Sequence, residues 1–334
     1  MEYSKHLHYK WVSGINSIRF ILALIVVLSH FENPIAIYFK SSETPIINLT
    51  GSFIGILFNG VAAVIAFFII SGFVIHQSSK DSSIKWQSFI IKRYVRILIP
   101  LLFVFVLGYR LNHPEKHVVW SLICELVYYT LYPILKQLEV NWKKLLIYSF
   151  IVSYVLIALI AWNDVLAFVH QNDYKYHGNY WQGGIFLTWI IGLPCWLLGV
   201  LIAENLNTLK NVSTSKIISY RLFVFFLSVV INFLRFHNHL SYILIMNLFA
   251  LILYKWIKSE IAYYQNHKPF VILEKAGEFS YSLYLFHPVF YVFLSSLIQK
   301  NIANYFISLL LTMLGSYIFY LLVEKPSHYF ARRL

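Results

Sequence analysis

Ionisable side chains interrupt several long apolar stretches of this sequence, and their residue types are able to do acid–base chemistry or to bind phosphate. They are Arg19 and His30, Arg93 and Arg96, Glu125, and His287. An ionisable side chain inside a membrane span costs about 2.5 to 3.5 kcal/mol on insertion scales. We therefore treat each as a candidate functional residue and set the structural alternative beside it.

Arg19 and His30 belong to the same apolar run, INSIRFILALIVVLSHF. Their spacing is about three turns of α-helix, which places both on one face and roughly 16 Å apart along the axis. Two ionisable side chains on one face of a span form a candidate functional pair. The alternative is that Arg19 extends its charge to the nearer membrane surface and that His30 only ends the helix.

Arg93 and Arg96 lie one helical turn apart in FIIKRYVRILIP, on one face of a predicted helix at a cytoplasmic entrance. Two guanidinium groups presented together suit phosphate oxygens, because each donates a planar pair of hydrogen bonds. The pattern therefore predicts a phosphate site. The excess of Lys and Arg that flanks cytoplasmic helix ends explains the same pair without a ligand.

Glu125 lies well inside the run SLICELVYY, where a carboxylate needs a partner or must be protonated. Its predicted depth approaches that of His30, so we expect it to fix the tautomer of His30 and to stabilise the imidazolium. Structural pairing with an Arg or Tyr of another helix is the alternative. His287, in SYSLYLFHPVF, is either a core histidine bonded to a neighbouring helix or a direct participant in the chemistry.

Composition predicts the elements that hold these residues. Of the 334 residues, 59% are hydrophobic and 12% are charged, against about 25% charged in an average soluble domain. This composition excludes a soluble globule and favours an all-α polytopic membrane protein with about ten transmembrane helices. The predicted spans are 15–31, 53–75, 89–111, 118–135, 145–162, 184–203, 217–234, 240–257, 279–298 and 304–323.

The net charge of +13 is distributed unevenly along this predicted path. Most Lys and Arg residues fall in alternate connections that include the N-terminal segment, which places the N- and C-termini in the cytoplasm. Anionic lipid on that face accounts for the positive charge, so we expect no nucleic-acid partner. The first apolar run lacks a cleavage site and is predicted to be retained. We expect one domain over 1–334, with no appended soluble domain, in the cell (inner) membrane.

The remaining sequence features concern metals and the outer face. Cys124 and Cys195 lie inside apolar stretches, so we expect neither a disulfide framework nor a metal site. The longest outer connection, about 163–183, is rich in Trp, Tyr, His and Asn, which stack on sugars and hydrogen-bond to them. This composition fits a carbohydrate-binding loop or an interfacial aromatic belt.

In chain order, these residues resemble the membrane acyltransferase-three family over nearly the whole chain. The motifs are RFILALIVVLSH, FFIISGFVI at 67–75, KRYVRILIP, WSLICE at 120–125 followed by VYYTLYP, YSLYLFHPV at 281–289, and EKP at 324–326. The chain departs from the family at Ile65, where many relatives have an Asp ahead of the FFxxSG segment. A role for that carboxylate therefore does not carry over.

The resemblance implies an O-acyltransferase that moves an acetyl or other short acyl group from cytoplasmic acetyl-CoA to a hydroxyl of a cell-surface or lipid-linked glycan, such as lipopolysaccharide or exopolysaccharide. It implies His30 as the catalytic base, Arg19 as part of the same essential pair, and Arg93 and Arg96 as coenzyme A contacts. We expect Arg19 to bind the donor as well, at a phosphate or a pantetheine carbonyl, or to tune His30. The motifs add further residues that either contact the substrate or support the site, which are Ser71, Trp120, Ser121, Tyr284 and His287. Expected partners are the saccharide acceptor, membrane lipid and polysaccharide-assembly proteins.

The hypothesis that follows has the phosphates of the donor at Arg93 and Arg96 and its pantetheine arm threaded toward His30. Direct transfer is favoured over an acyl-enzyme, because neither Cys124 nor Ser71 has a base beside it in sequence. Two other classes remain open. A transporter or exporter of a glycan or solute also uses buried Arg, His and Glu, and a scaffold of a polysaccharide-assembly complex would tolerate the loss of His30.

Overall fold

A computed structural model describes residues 12–110, 118–172, 175–299 and 301–334. Over these residues the chain forms helices and no strand. The α-helices are α1 Ile15–His30, α2 Pro34–Lys40, α3 Pro45–Gly55, α4 Gly60–Ser79, α5 Trp86–Arg110, α6 Val119–Gln137, α7 Trp142–Ile160, α8 Trp162–His170, α9 Gly184–Glu204, α10 Thr214–His237, α11 Tyr242–Tyr264, α12 Val271–Ala276, α13 Ser280–Leu297, α14 Ile302–Phe319 and α15 Lys325–Arg333. A π-helical turn, Tyr320–Glu324, joins α14 to α15.

The all-α prediction is confirmed, and each predicted span overlaps at least one helix, with 53–75 reaching both α3 and α4 and 145–162 both α7 and α8. Within the described ranges, 6 helical segments are long and apolar enough to cross a membrane, or 7 if the bent pair α1 and α2 forms one span. The count of about ten is therefore not confirmed. The predicted spans that do not meet this criterion of length and apolar composition include α5, α6 and α13. These helices carry Arg93, Glu125 and His287 among their apolar residues.

The segment between the first two predicted spans is helical rather than a plain connection. Asn33 caps α2 by accepting from the backbone N–H of Ile35 at 3.0 Å, and Pro34 occupies the first turn. Pro45 begins α3 in the same way. Both signals are local, because proline is well tolerated at the first position of a helix, where its missing N–H is not needed.

The centre of the bundle is a close contact between α4 and α9. A Cβ on Gly72 would lie 2.0 Å from the carbonyl oxygen of Trp196, and a Cβ on Gly199 would lie 1.9 Å from that of Ile69. Only glycine permits the two backbones to approach this closely, as small residues do at helix contacts in membranes. This contact fixes the part of α4 that carries Ser71.

Helix α1 is anchored at its start. The carboxylate of Glu274, on α12, accepts from the backbone N–H groups of Gly14 and Ser17 at 3.2 and 3.0 Å and from Ser17 Oγ at 2.7 Å. The first N–H groups of a helix have no partner within the helix, so this carboxylate acts as a cap supplied from a distant part of the chain. It sets the depth at which Arg19 and His30 lie.

Two ends of the bundle differ in the residues that they hold. At the basic end, which holds Lys92, Arg93 and Arg332, α1, α5 and α13 begin and α4 and α6 end. The Nζ of Lys136, late in α6, donates to the backbone oxygens of Ser79 and Ser82 there. At the histidine end, which holds His30 and His287, α1 ends.

Candidate active site

A cavity of about 170 Å³ lies among α1, α4, α5, α6, α13 and the C-terminal helices. Its polar lining consists of three guanidinium groups, two carboxylates, an imidazole and a series of hydroxyls. These residues are Arg19, Arg93, Arg96, Glu125, Glu324, His328, Ser71, Ser121, Tyr129, Ser280, Tyr281 and Tyr284. Elements that are far apart in sequence thus bring most of the predicted site residues into one space.

The basic end of this cavity adjoins a second one of about 240 Å³. The two share Arg93, Arg96 and His328, and the second adds Lys92 and Arg332, with no carboxylate among its described lining residues. The guanidinium carbon of Arg93 lies 4.2 Å from the Phe89 ring centre, and its Nε is buried without a hydrogen-bond partner. A buried donor without a partner in an uncompensated cationic space fits an anionic ligand.

The middle of the first cavity is organised around Glu125. Its Oε1 accepts from Ser71 Oγ at 3.0 Å and from the hydroxyl of Tyr129. Ser71 in turn accepts from Trp196 Nε1 at 3.4 Å. The carboxylate is therefore held by α4 and by its own helix, with the cavity in front of it.

Helix α13 crosses the site and forms hydrogen bonds to three other helices at successive levels. The hydroxyl of Tyr281 donates to the carbonyl of Ile97 on α5 at 3.0 Å, and that of Tyr284 lies 2.7 Å from Ser121 Oγ on α6. His287 is hydrogen-bonded to His30 on α1. These residues follow one another at single-turn spacing, which is about 4.5 Å of rise per step. The YSLYLFHP motif thus presents one face that runs from the basic end to the histidine end.

His30 and His287 form a hydrogen-bonded pair. Nδ1 of His30 lies 2.8 Å from Nε2 of His287, with the rings inclined by 13°, and Nδ1 of His287 lies 3.0 Å from the carbonyl oxygen of Leu283. A carbonyl only accepts, so His287 carries its proton on Nδ1 and, when neutral, accepts at Nε2 from His30. The neutral pair therefore leaves Nε2 of His30 as the unprotonated, basic nitrogen.

The comparison with protein families decides what kind of protein this site serves. A family model described as an acyltransferase domain matches residues 12–321, nearly the whole chain. The chain belongs to the acyltransferase-three family. The comparison with curated proteins finds no match, and neither does that with solved structures. The predicted family is thus confirmed, and with its apolar helices the protein is a membrane acyltransferase.

The geometry corrects one expectation about this acyltransferase. Glu125 is bonded to Ser71 and Tyr129, whereas the imidazole of His30 is bonded to His287. His30 is therefore oriented by His287 and not, as expected, by Glu125. Periodicity placed both residues at similar depth, but depth does not determine which helix lies beside which.

Three predicted residues of the acyltransferase, His30, His287 and Trp120, lie outside the cavity lining. His30 is at the exposed end of α1, with the fully buried His287 between it and the helix bundle. Trp120 lies behind the cavity, stacked on Trp181 at 5.4 Å between ring centres and edge-on to Phe68 at 5.9 Å. Trp120 therefore supports the wall and joins it to the outer connection.

Two residues of the cavity lining, Glu324 and His328, had no predicted role. Glu324 is 1% exposed and accepts from the backbone N–H of Ser282 at 3.1 Å and from Ser282 Oγ, while His328 Nε2 lies 3.6 Å from its other oxygen. The π-helical turn, a distortion common at functional sites, places this carboxylate in the cavity. The sequence signal that could have identified Glu324 is its position directly after an apolar run, in LLVEKP.

Proposed function

We propose that the protein is an integral-membrane O-acyltransferase that moves an acetyl or other short acyl group from acyl-CoA to a hydroxyl of a cell-surface or lipid-linked glycan. The basic end faces the cytoplasm and the histidine end faces the outer side of the cell (inner) membrane. The observation that carries the proposal is the succession of polar groups from the cationic cavity, past Glu125, to the histidine pair.

The basic end supplies the contacts for the phosphates of the donor. Acetyl-CoA is a substrate that carries a diphosphate and a ribose phosphate, and Lys92, Arg93, Arg96 and Arg332 line the space offered to them. Guanidinium groups bind phosphate oxygens through paired, charge-assisted hydrogen bonds. The unpartnered Nε of Arg93 supports this role, since an anion would complete its hydrogen bonding.

Glu125 serves the pantetheine arm rather than the base. Along α6 it lies one turn, about 6 Å, on the basic side of Ser121. In the donor, three single bonds of about 1.5 Å each separate the thioester sulfur from the nearest amide nitrogen. With the thioester at the level of Ser121, this amide N–H lies at the level of Glu125, whose carboxylate accepts it.

The reaction then needs a base at the histidine end. Nε2 of His30 takes the proton of the acceptor hydroxyl as its oxygen attacks the thioester carbon, and Nδ1–H donates to His287 while the imidazolium exists. The carbon–sulfur bond breaks, and the leaving thiolate receives the proton from His30, which gives the ester and free CoA. General-base catalysis of this kind contributes a factor of about 10² to 10⁴.

The outer connection supports a carbohydrate acceptor. The buried carboxylate of Asp164 accepts from the backbone N–H groups of His177 and Gly178 at 3.1 and 3.2 Å and from Gln182 Nε2 at 3.0 Å. It thereby holds Trp181 and its neighbours in a defined arrangement at the outer face. Ordered aromatic and amide side chains suit sugar binding, and membrane lipid and assembly proteins are the other partners we propose.

Three measurements test the proposed function. Purified protein in detergent is titrated with CoA, and transfer of labelled acetyl groups to isolated glycans is followed for the wild type and for His30→Ala. We expect CoA binding in both proteins and transfer only in the wild type. Mass analysis of surface glycans with and without the gene is expected to show one missing acyl increment. Acyl transfer retained by His30→Ala would exclude His30 as the base. Absence of CoA binding would favour a transporter.

A further inference from the structure

Ser280 carries a hydroxyl that is buried at the first cavity and has no partner in the protein. The residue is 1% exposed and lines the cavity, and its Oγ is hydrogen-bonded to none of the described groups. Every other hydroxyl of the described cavity lining is hydrogen-bonded, to a carboxylate, to a backbone carbonyl or to a second hydroxyl. A buried polar group without a partner is costly, so this hydroxyl points to a ligand of the cavity.

Ser280 lies at the depth of Arg19. Helix α13 follows the short turn Gly277–Phe279, in which Gly277 packs against the backbone of Asn16 at the start of α1. Helices α1 and α13 both run from the basic end to the histidine end. Ser280 and Arg19 each follow this contact by about one turn, so the two residues are at similar depth where they line the cavity.

Glu125 lies at about the same depth. Gly60, the first residue of α4, packs against Ser29 near the end of α1. Helix α4 runs in the opposite direction to α1, so Ser71 and Arg19, each about three turns from this contact, lie at similar depth. Ser71 Oγ donates to Glu125 at 3.0 Å, which brings the carboxylate to that level.

The helices around the cavity place Ser280 and Glu125 on opposite sides of it. Helix α1 packs against α4, α4 against α6, α6 against α5, α5 against α13, and α13 against α1, which closes a ring. In this ring α13 lies across from α4 and α6, the two helices that carry Ser71 and Glu125. The unpartnered hydroxyl and the carboxylate are therefore separated by the cavity at one depth.

An amide of the donor arm matches this arrangement. An amide is planar and trans, so its N–H and its C=O point to opposite sides. If the N–H donates to Glu125, the carbonyl oxygen points toward α13, where a hydroxyl is able to donate to it. We propose that Ser280 is a donor-binding residue whose hydroxyl donates to the carbonyl oxygen of this pantetheine amide, an inference that rests on the proposed function.

Ser280→Ala tests this contact, because it removes the hydroxyl without breaking a hydrogen bond of the free protein. We expect an unchanged or higher Tm without donor and, for acetyl-CoA, an unchanged kcat with kcat/KM about two to tenfold lower, the range of one neutral hydrogen bond. S-acetylpantetheine has the same arm without the nucleotide, and its kcat/KM should fall by the same factor. Arg332→Gln, in contrast, should affect acetyl-CoA alone, since Arg332 is assigned to the phosphates.

Ser316→Ala is the matched control. Ser316 lies on α14, is 0% exposed and has an Oγ without a partner, and it belongs to neither described cavity lining. The two variants thus remove the same kind of group at the same degree of burial. With either donor, kcat/KM of Ser316→Ala should equal that of the wild type.

The outcomes separate this inference from the function on which it rests. If the wild type binds CoA and depends on His30, but Ser280→Ala has normal kcat/KM, the contact is excluded and the proposed function stands. A loss limited to acetyl-CoA would assign Ser280 to the phosphates, and an equal loss in Ser316→Ala would make the effect one of packing; both overturn the inference. Absence of CoA binding by the wild type would overturn the inference and the function together.

A second variant covers the case in which Ser280→Ala does not fold. Ser280→Cys keeps a side chain of similar shape but replaces the hydroxyl by a weak donor. A lower kcat/KM with both donors would support the contact, and unchanged values with both would exclude it.

Discussion

Nδ1 of His30 lies 2.8 Å from Nε2 of His287, so the exposed ring at the end of α1 is bonded to a fully buried ring of α13. The second bond of His287, to the carbonyl oxygen of Leu283, determines which nitrogen of each neutral ring carries the proton. A neighbouring helix, rather than a carboxylate, thus orients the proposed base.

The first prediction concerns this pair. His287→Phe fills a similar volume but has no acceptor for the Nδ1–H of His30, so the imidazolium loses its partner. Because general-base catalysis as a whole contributes about 10² to 10⁴, we expect kcat to fall roughly 10 to 100-fold. The KM for acetyl-CoA should stay unchanged, since the donor contacts lie elsewhere. Steady-state kinetics on purified protein check both values.

His237→Phe is the control for that variant, because His237 is an exposed histidine at the end of α10. The kcat of His237→Phe and its KM for acetyl-CoA should match those of the wild type. A rise in the donor KM of His287→Phe with kcat intact would instead assign His287 to donor binding.

Glu125→Gln distinguishes the two roles considered for this carboxylate. If Glu125 accepts an amide of the donor, loss of its charge weakens a charge-assisted hydrogen bond, and the KM for acetyl-CoA rises about tenfold. The pH dependence of kcat should not move. If Glu125 oriented the base, that pH dependence would shift and the KM would stay constant. Glu139→Gln, an exposed carboxylate just after α6, is the control.

Arg332→Gln tests whether the second cavity belongs to the donor site. Arg332 lines that cavity with Arg93 and Arg96, so its loss should raise the KM for acetyl-CoA about three to tenfold, in the range of a single partly exposed charge contact. At saturating donor, kcat should be unchanged. The neighbouring Arg333 pairs with Tyr329 outside the cavity, which makes Arg333→Gln a matched control. Equal KM values for the wild type, Arg332→Gln and Arg333→Gln would show that the second cavity is not part of the donor site.

Much of this site was predictable because ionisable residues are rare inside apolar helices. Arg19, Arg93, Arg96 and Glu125 were selected on that ground, and the structure brings all four to one cavity. The cost of burying a charge makes such residues visible in a single sequence. The family, and with it the acyltransferase activity, was identified from the order of the same motifs and is confirmed.

The lateral arrangement of the helices, that is, which helix packs beside which, was not predictable in the same way. Helical periodicity gives the depth of His30 and Glu125 but not the neighbours of their helices, so His287 was not identified as the partner of His30. Glu324 depends on a π-helical turn that no spacing indicates. The helices at 34–55 were missed because apolar length was the criterion, although Asn33 and Pro34 are a recognisable helix start.

The last prediction addresses the contact that positions Ser71. In Gly72→Ala the new methyl group would lie 2.0 Å from the carbonyl oxygen of Trp196, which is backbone and cannot swing aside. Helices α4 and α9 must separate, and overpacking of this kind typically costs about 1 to 3 kcal/mol of folding free energy. We expect a lower Tm in detergent and, because Ser71 moves away from Glu125, a higher KM for acetyl-CoA. In the control Gly55→Ala, the methyl group would lie 3.3 Å from the Nζ of Lys40, the end of a flexible side chain, and 3.9 Å from the Cβ of Ala36, which is an ordinary contact. That variant should be as stable as the wild type, and an equal Tm for Gly72→Ala would show that the two helices do not pack as closely as described.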